Sequence, residues 1–210
     1  MIILNKVPSP TEVTKLTDAK DIFFDMDGTL IDTELHHAKA LRRTLDHFNV
    51  ERDSSSEDLK KRFQGVADDK VFEFYKKELN TSVQKFLEIK NQKVIDIIDS
   101  EKEIITKEIR NLLQSLKLMG LRISLITASE RKVTEFILQK EKVKELFDLV
   151  LTREDSTETK PSPRPYLDAL NFYKITTKEA FIFEDSPTGL EAARASEIPF
   201  AKVTWFSNRA

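Results

Sequence analysis

Two aspartates separated by one residue are the strongest candidates for chemistry in this sequence. Asp25 and Asp27 stand in the stretch D-M-D-G-T, directly after the apolar residues 22–24. Such a run is typical of a strand buried on both faces of a parallel sheet. Two carboxylates this close repel one another unless they share a cation or a proton. Asp and Gly are also ordinary turn residues, so a solvated turn stays open as the alternative for this stretch alone.

Other predicted strands also end in polar groups, at Thr127, Thr152 and the acid pair Glu184–Asp185. The carboxyl ends of parallel strands lie at one edge of a sheet, so we expect these groups to share a crevice with Asp25. The side chains of Glu184, Asp185 and Asp25, with the backbone carbonyl of Asp27, would supply the oxygen ligands that Mg²⁺ prefers. A turn that happens to contain two acids is the simpler alternative for the second pair.

Two further stretches contain groups that suit a phosphate. Thr127 is followed by Ala128 and Ser129 before a predicted helix, whose first N–H groups could bind an anion. Lys160 precedes three prolines at positions 161, 163 and 165, which would hold it on a stiff loop. A lysine held in this way could neutralise a phosphate and the acids. Taken singly, both features are weak, because Ser and Thr cap most helices and most lysines are solvated.

Composition limits the functions that need to be considered. The chain has 210 residues, of which 40% are hydrophobic and 33% charged, which indicates a globular protein with a core. The 34 Lys and Arg against 36 Asp and Glu give a net charge of −2, which favours neither nucleic acid nor an anionic membrane as a partner. The absence of cysteine excludes disulfides and cysteine nucleophiles. Residues 1–4 are too short an apolar run for a signal peptide or a membrane span, so a cytoplasmic location is expected by default. We also expect a monomer.

The order of predicted elements indicates an α/β protein with an inserted helical block. Helical periodicity without a convincing strand runs through residues 38–48, 71–79 and 83–98. Strands are then predicted at 121–127, 147–152, 180–185 and 200–204, and helices at 104–119, 130–140, 165–173 and 188–195. We therefore predict a Rossmann-like parallel sheet core at 1–34 and 101–210, with a helical cap domain at 35–100. Residues 1–4 are expected to fill an edge of the sheet.

The four motifs in this order resemble the haloacid dehalogenase-like (HAD) hydrolase superfamily. The stretches D-G-T-L-I-D-T-E and F-E-D-S-P-T-G-L-E-A-A carry the similarity most specifically, and the helical insert is similar to the cap of the phosphoglucomutase and phosphatase branch. The resemblance implies Asp25 as a nucleophile that forms an aspartyl-phosphate, and Asp27 as the general acid and base. It also implies phosphate contacts from Thr127, Ala128 and Lys160, and Mg²⁺ held by Asp25, Asp27, Glu184 and Asp185.

The predicted cap departs from the mutase pattern. Gly65 is similar to the glycine of the cap substrate loop, and His37 matches a histidine that the mutases keep near the hinge. Where β-phosphoglucomutases have an arginine that grips the distal phosphate, this chain has Asp68, which would repel one. Lys70 or Arg62 could compensate that charge.

We therefore expect a Mg²⁺-dependent phosphatase acting on a small phosphate monoester, with a cap that opens and closes over the site. The alternatives are a β-phosphoglucomutase-like isomerase and a non-catalytic protein of the same fold that binds a phosphorylated ligand. The sequence does not identify the substrate.

Overall fold

The computed structural model describes residues 2–50, 55–63 and 66–206 of the chain, which divides into two compact units. One unit is Met1–Asp32 with Glu103–Ala210, and the other is Thr33–Lys102. The sequence predicts that the first core segment ends at residue 34 and the insert at residue 100. In the structure these boundaries fall at residues 32 and 102. That the second unit acts as a cap stays a prediction.

A six-stranded parallel sheet forms the centre of the first unit in the described part of the chain. Its strands are β1 (Ile2–Leu4), β2 (Asp21–Phe24), β3 (Arg122–Ile126), β4 (Leu149–Leu151), β5 (Ala180–Glu184) and β6 (Phe200–Val203). They lie in the order β1-β6-β5-β2-β3-β4, and every pairing is parallel. The predicted α/β fold with a Rossmann-like sheet is confirmed.

Strand β2 lies in the middle of the sheet, and its end is the place where the topology predicts a site. Phe24 is in register with Leu125 of β3 on one side and with Phe183 of β5 on the other. The rings of Phe24 and Phe183 stack with centroids 4.9 Å apart, and both are fully buried. The chain leaves β2 toward β3 and β4 and returns to β5 on the opposite side, so the strand order reverses here. Open α/β sheets bind ligands at such a reversal.

The N-terminal residues form the edge strand that the sequence analysis placed there. Ile2–Leu4 pairs with β6 in parallel, and Thr204 N donates to Leu4 O at 2.8 Å. Met1 lies outside the described residues. Helix α1 (Pro10–Leu16) follows and begins at a capping box, in which Ser9 and Glu12 satisfy each other's backbone N–H groups.

The remaining helices of the first unit are α6 (Lys107–Leu118), α7 (Arg131–Lys140), α8 (Arg164–Tyr173) and α9 (Pro187–Ala195), with short 3₁₀ turns at Lys144–Leu146, Arg153–Asp155 and Thr177–Glu179. Helix α6 begins three residues later than expected from its apolar pattern. The N–H groups of Ile104 and Ile105 donate to the buried Glu141 carboxylate, at 3.1 and 3.3 Å, and Thr106 caps the helix. The two isoleucines are therefore anchored to a side chain instead of starting the helix.

The second unit contains α2 (Glu34–His47), α3 (Ser56–Phe63), α4 (Asp68–Tyr75) and α5 (Val83–Asp99) among its described residues. Helix α4 was expected at 71–79. It ends at Tyr75, although Leu79 still packs into the same apolar cluster from the following turn. The apolar spacing therefore continued past the end of the helix. Within the described residues, no helix has both the length and the apolar composition needed to cross a bilayer.

Candidate active site

The turn after β2 places the first acid pair. Asp25 N donates to Phe183 O at 3.0 Å, which extends the sheet pairing by one residue. The carbonyl of Met26 then accepts from the N–H groups of residues 29, 30 and 31, closing a tight turn. Gly28 has φ +80° in this turn, and a Cβ there would lie 2.1 Å from Asp185 Oδ2. Glycine is thus needed both for the backbone angle and for the close approach of the two loops.

Three carboxylates converge where β2 and β5 end. Asp25, Glu184 and Asp185 each offer an oxygen, and these oxygens all lie within 4.8 Å of one another. Asp25 is 6% exposed and Glu184 is fully buried. Asp25 Oδ2 is buried and accepts no hydrogen bond from the described residues. A buried, unbonded carboxylate oxygen in an all-oxygen cluster fits a hard divalent cation such as Mg²⁺.

Lys160 lies between two of these carboxylates and uses all three of its N–H groups. Its Nζ donates to Asp25 Oδ1 at 2.6 Å, to Glu184 Oε2 at 2.7 Å and to Ile126 O at 2.9 Å. The structure thus brings the predicted lysine to the predicted acids. In this arrangement, contact with a phosphate oxygen would require the lysine to exchange one of these partners.

Burial and charge together set the protonation of this cluster. Burial raises the pKa of Asp25 well above its usual value, and the neighbouring Glu184 adds to the rise while Lys160 opposes it. Burial alone would lower the pKa of Lys160, but the charges of Asp25 and Glu184 outweigh burial and raise it well above its usual value. The ammonium therefore stays charged. A cation next to Asp25 would lower the pKa of that carboxyl and favour its ionised form.

Tyr166 belongs to the same buried cluster, and sequence reasoning did not find it. Its hydroxyl donates to Glu184 Oε2 at 2.8 Å, the oxygen that also accepts from Lys160. Tyr166 is fully buried near the start of α8. From the sequence it resembles an ordinary aromatic core residue. The only available signal is its position six residues after Lys160, at the end of the proline-rich segment.

Glu184 is held from both sides of its carboxylate. Oε1 accepts from the N–H groups of Asp185 and Ser186 and from the Ser186 hydroxyl, at 2.9–3.1 Å. Oε2 accepts from Lys160 and Tyr166. A Cβ at Gly189 would lie 2.0 Å from the Glu184 Cδ, so α9 passes against this side chain. Glu184 is therefore fixed in one orientation.

The T-A-S stretch after β3 reaches the second aspartate. Thr127 is buried, and its Oγ1 accepts from Ser129 N at 3.0 Å. The Ser129 hydroxyl donates to Asp27 Oδ2, which links this stretch to the first acid pair. Ser129 had been considered only as part of a helix start.

The expected cradle of helix N–H groups is partly occupied. Helix α7 begins at Arg131, and the N–H of that residue donates to the Glu154 carboxylate at 3.0 and 3.1 Å. Glu154 thus takes a donor that the sequence analysis offered to phosphate. Thr152, at the end of β4, bonds Asp155 with its N–H and hydroxyl, at 2.8 and 2.6 Å, instead of turning to the carboxylate cluster. Glu154 and Asp155 lie in the short 3₁₀ turn after β4 and compete with an anion for these donors.

In the helical unit, Asp68 has a partner that the sequence analysis missed. Lys90 Nζ lies 2.7 Å from each Asp68 carboxylate oxygen and 3.3 Å from His37 Nδ1. Lys90 is 2% exposed. Lys70 and Arg62, which the sequence analysis offers as compensating cations, are both exposed, and their role toward a phosphate stays a prediction. Lys90 stands four residues after Phe86 and four before Val94, on the apolar face of α5. This spacing predicts a core position and gives no sign of an ion pair. The predicted cap residue Gly65 lies outside the described residues.

The fold and this cluster together define a class of protein. A parallel α/β sheet that gathers carboxylates, a buried lysine and hydroxyl groups at the reversal of its strand order has the arrangement of an enzyme site. The sequence matches the family model for haloacid dehalogenase-like hydrolases over residues 22–203. The chain belongs to this family of hydrolases, as its motifs indicated.

Individual relatives are more distant. The chain is 26% identical over 186 residues to a phosphorylated carbohydrates phosphatase of Thermotoga maritima, covering 84% of this chain and 81% of the relative. It is 27% identical over 191 residues to the pyrophosphatase PpaX of Bacillus cereus strain B4264, covering 88% of this chain and 82% of the relative. Among solved structures, CbbY of Rhodobacter sphaeroides in complex with phosphate superposes with a TM-score of 0.80 at 21% identity, covering 91% of this chain and 89% of that one. This last similarity supports the fold.

Proposed function

We propose that this protein is a Mg²⁺-dependent phosphatase that hydrolyses a small phosphate monoester, such as a sugar phosphate, through an aspartyl-phosphate. The observation that carries the proposal is the buried Asp25 carboxylate, with one oxygen against Lys160 and the other unbonded among acids. A second aspartate, Asp27, stands two residues after Asp25 and accepts a hydrogen bond from the Ser129 hydroxyl in the T-A-S stretch after β3. Relatives named as a phosphatase of phosphorylated carbohydrates and as a pyrophosphatase are consistent with it.

The proposed chemistry has two displacements at phosphorus. The Asp25 carboxylate attacks the phosphoryl group and the bond to the ester oxygen breaks, while Asp27 gives that oxygen its proton. Asp27, now ionised, takes a proton from water, and the resulting hydroxide displaces Asp25 to release inorganic phosphate. Thr127, the backbone N–H of Ala128 and Lys160 would hold the phosphoryl oxygens and stabilise their charge. Lys160 is already within hydrogen-bond distance of the nucleophile.

The residues that would hold Mg²⁺ are Asp25, Glu184 and Asp185 through their side chains and Asp27 through its carbonyl. This ion prefers oxygen ligands, which the carboxylates of the cluster provide. One of them, the buried Asp25 Oδ2, accepts no hydrogen bond from the described residues. When bound, the ion would offset the repulsion between an anionic nucleophile and an anionic phosphate. Glu184 already accepts from two backbone N–H groups, two hydroxyls and Lys160, so its contribution would be made from a fixed position.

Metal removal is the first test of the proposal. With a panel of phosphorylated metabolites, we expect release of inorganic phosphate from at least one small monoester in the presence of Mg²⁺. Activity should fall to background in EDTA, because the repulsion at Asp25 is then no longer offset, and excess Mg²⁺ should restore it. Phosphate release is measured colorimetrically, and Ca²⁺ in place of Mg²⁺ controls for simple charge screening. Turnover that is unchanged in the chelator would exclude the metal assignment.

The isomerase alternative makes a different demand on the helical unit. Such an enzyme holds a bisphosphate through both phosphates, and the position that the family resemblance gives to a phosphate-binding arginine is Asp68. Lys90 contacts both oxygens of that carboxylate, so the two charges compensate one another and offer no net positive charge. The described contacts therefore favour a hydrolase over a mutase.

An assay with a bisphosphate distinguishes the two reactions. β-Glucose 1-phosphate supplied with glucose 1,6-bisphosphate and Mg²⁺ should yield free phosphate or no product, because a compensated ion pair attracts a second phosphate weakly. Phosphate and glucose 6-phosphate are measured in the same reaction. Rapid formation of glucose 6-phosphate with negligible release of phosphate would show that the protein is a mutase and not a hydrolase. Asp68→Arg is not a useful variant here, because it would leave the buried Lys90 facing a like charge.

A further inference from the structure

Tyr166 bonds a carboxylate of the site but has no role in the proposed mechanism. It is fully buried, its hydroxyl donates to Glu184 Oε2 at 2.8 Å, and Lys160 Nζ lies 5.0 Å from the centre of its ring. Tyr166 therefore contacts the Lys160 ammonium with its ring and shares an acceptor oxygen with it. It makes no hydrogen bond to Asp25 among the described residues, and the group it shares with the nucleophile is Lys160, which bonds Asp25 Oδ1 and Glu184 Oε2.

The local backbone explains why this tyrosine reaches the lysine. Lys160 and Tyr166 stand at the two ends of the segment K-P-S-P-R-P-Y. The carbonyl of Pro163 accepts from the N–H groups of Tyr166 and Leu167, at 3.0 and 3.1 Å, and this starts α8. The proline at the start of α8 has a fixed φ, so this turn is stiff. The segment therefore places the Tyr166 side chain next to Lys160.

Hydrogen-bond accounting at Glu184 Oε2 shows what the hydroxyl adds. This oxygen is fully buried and accepts from two donors, Lys160 and Tyr166. Without the tyrosine donor, Lys160 would be the only described hydrogen-bond partner of this oxygen. A buried carboxylate oxygen that loses one donor attracts the remaining donor more strongly. The ammonium would then shift toward Glu184 and away from Asp25.

We propose that Tyr166 is a positioning residue: its hydroxyl, by satisfying Glu184 Oε2, keeps the Lys160 ammonium directed at the Asp25 carboxylate. This inference rests on the proposed function for its effect on turnover, and on geometry alone for its effect on Lys160. The residue holds the lysine and does not touch the phosphoryl group.

The kinetic test is Tyr166→Phe, which keeps the ring and removes the hydroxyl. We expect kcat to fall about 10-fold, the lower end of the range for residues that orient a ligand or catalytic group, with KM changed by less than about 3-fold. In a Lys160→Met background the same substitution should change kcat by less than about 2-fold, because the group it orients is gone. An equal loss in both backgrounds would show that the hydroxyl has only a structural role, and wild-type kcat in Tyr166→Phe would overturn the inference.

Tyr173→Phe is the matched control. Tyr173 lies on the same helix, and its hydroxyl is 3.1 Å from Ser124 Oγ and makes no described hydrogen bond to Asp25, Glu184 or Asp185. It loses a comparable hydroxyl bond and should keep kcat within about 2-fold of wild type. Thermal melts of both variants compare the stability cost of each lost hydroxyl. An equal fall in kcat for Tyr173→Phe would show that any lost hydroxyl on α8 has this effect.

A second measurement needs no substrate and separates this inference from the proposed function. Proton–nitrogen correlation spectra of lysine ammonium groups should show a slowly exchanging signal for Lys160, identified by its loss in Lys160→Met. Tyr166→Phe should shift this signal or broaden it through faster exchange, whereas Tyr173→Phe should leave it unchanged. No such signal in the wild type, or the same signal in Tyr166→Phe, would refute the positioning role. If the signal responds but no phosphate ester is hydrolysed, the proposed function fails and the positioning of Lys160 stands.

Discussion

Asp25→Asn should reduce phosphate release below detection, a loss on the order of 10⁴-fold or more, while the protein still folds. The amide has nearly the volume of the carboxylate, so the buried packing around residue 25 changes little. It is a far weaker nucleophile and cannot form the proposed acyl phosphate. The amide oxygen can still accept from Lys160, which also keeps Glu184 Oε2 and Ile126 O, so the ammonium is not left without a charge partner. Steady-state phosphate release and a thermal melt measure the two parts of this expectation.

Asp21→Asn is the matched control for this experiment. Asp21 is 1% exposed and begins the same strand that Asp25 follows, but it faces Arg122 at 2.7 Å, at the other end of β2. The variant should lose stability through the weakened ion pair and keep turnover within a few-fold of wild type. Activity of Asp25→Asn within a few-fold of wild type would remove its role as nucleophile. An equal loss in Asp21→Asn would mean that replacing a buried aspartate at either end of β2 has this effect.

The sheet and the first acid pair were predictable from the sequence because their signals are local. Residues 22–24 form an apolar run that ends abruptly at Asp25, and this alone places a buried strand and the carboxylate at its end. The order of the elements then requires the carboxyl ends of β2 and β5 to lie at one edge. Asp25, Glu184 and Asp185 accordingly meet within 4.8 Å.

Contacts between polar groups on apolar helix faces were not predictable in this way. Lys90 and Tyr166 occupy positions that helical periodicity assigns to the core, and both are buried. Their polar ends find partners far away in the sequence, Asp68 for the lysine and Glu184 for the tyrosine. A pattern of apolar spacing states which face is buried but not which hydrogen bonds a buried polar atom makes there.

The predicted start of α6 was wrong because a distant side chain bonds the N–H groups of the residues before the helix. Ile104 and Ile105 have the apolar character of the helix that follows them, yet their N–H groups bond Glu141, 36 or 37 positions further along the chain. The first N–H of α7 is also bonded by a distant side chain, Glu154, although that helix begins within one residue of its predicted position. Such long-range caps depend on tertiary packing, so local sequence signals cannot reveal them.

Asp27→Asn should lower steady-state turnover by about 10²–10⁴-fold, the range for losing a general acid or base. The asparagine side chain can still accept the hydrogen bond that Ser129 donates to Asp27 Oδ2, so the turn itself should survive. What is lost is the proton for the leaving oxygen and the base for water. Turnover is measured on an alkyl phosphate with Asp21→Asn as the folding control. Activity within a few-fold of wild type would remove the acid–base assignment.

The identity of the leaving group separates the two roles of Asp27. An alkoxide needs a proton to leave, whereas p-nitrophenolate is a stable anion and does not. With p-nitrophenyl phosphate, Asp27→Asn should therefore still transfer the phosphoryl group to Asp25, releasing a burst of about one equivalent of nitrophenolate. Hydrolysis of the acyl phosphate should remain slow, because no base activates water, and the phosphorylated protein should accumulate to a level that mass spectrometry detects. If the burst is absent and turnover of the aryl and alkyl esters falls equally, Asp27 contributes to positioning or metal binding and not to proton transfer.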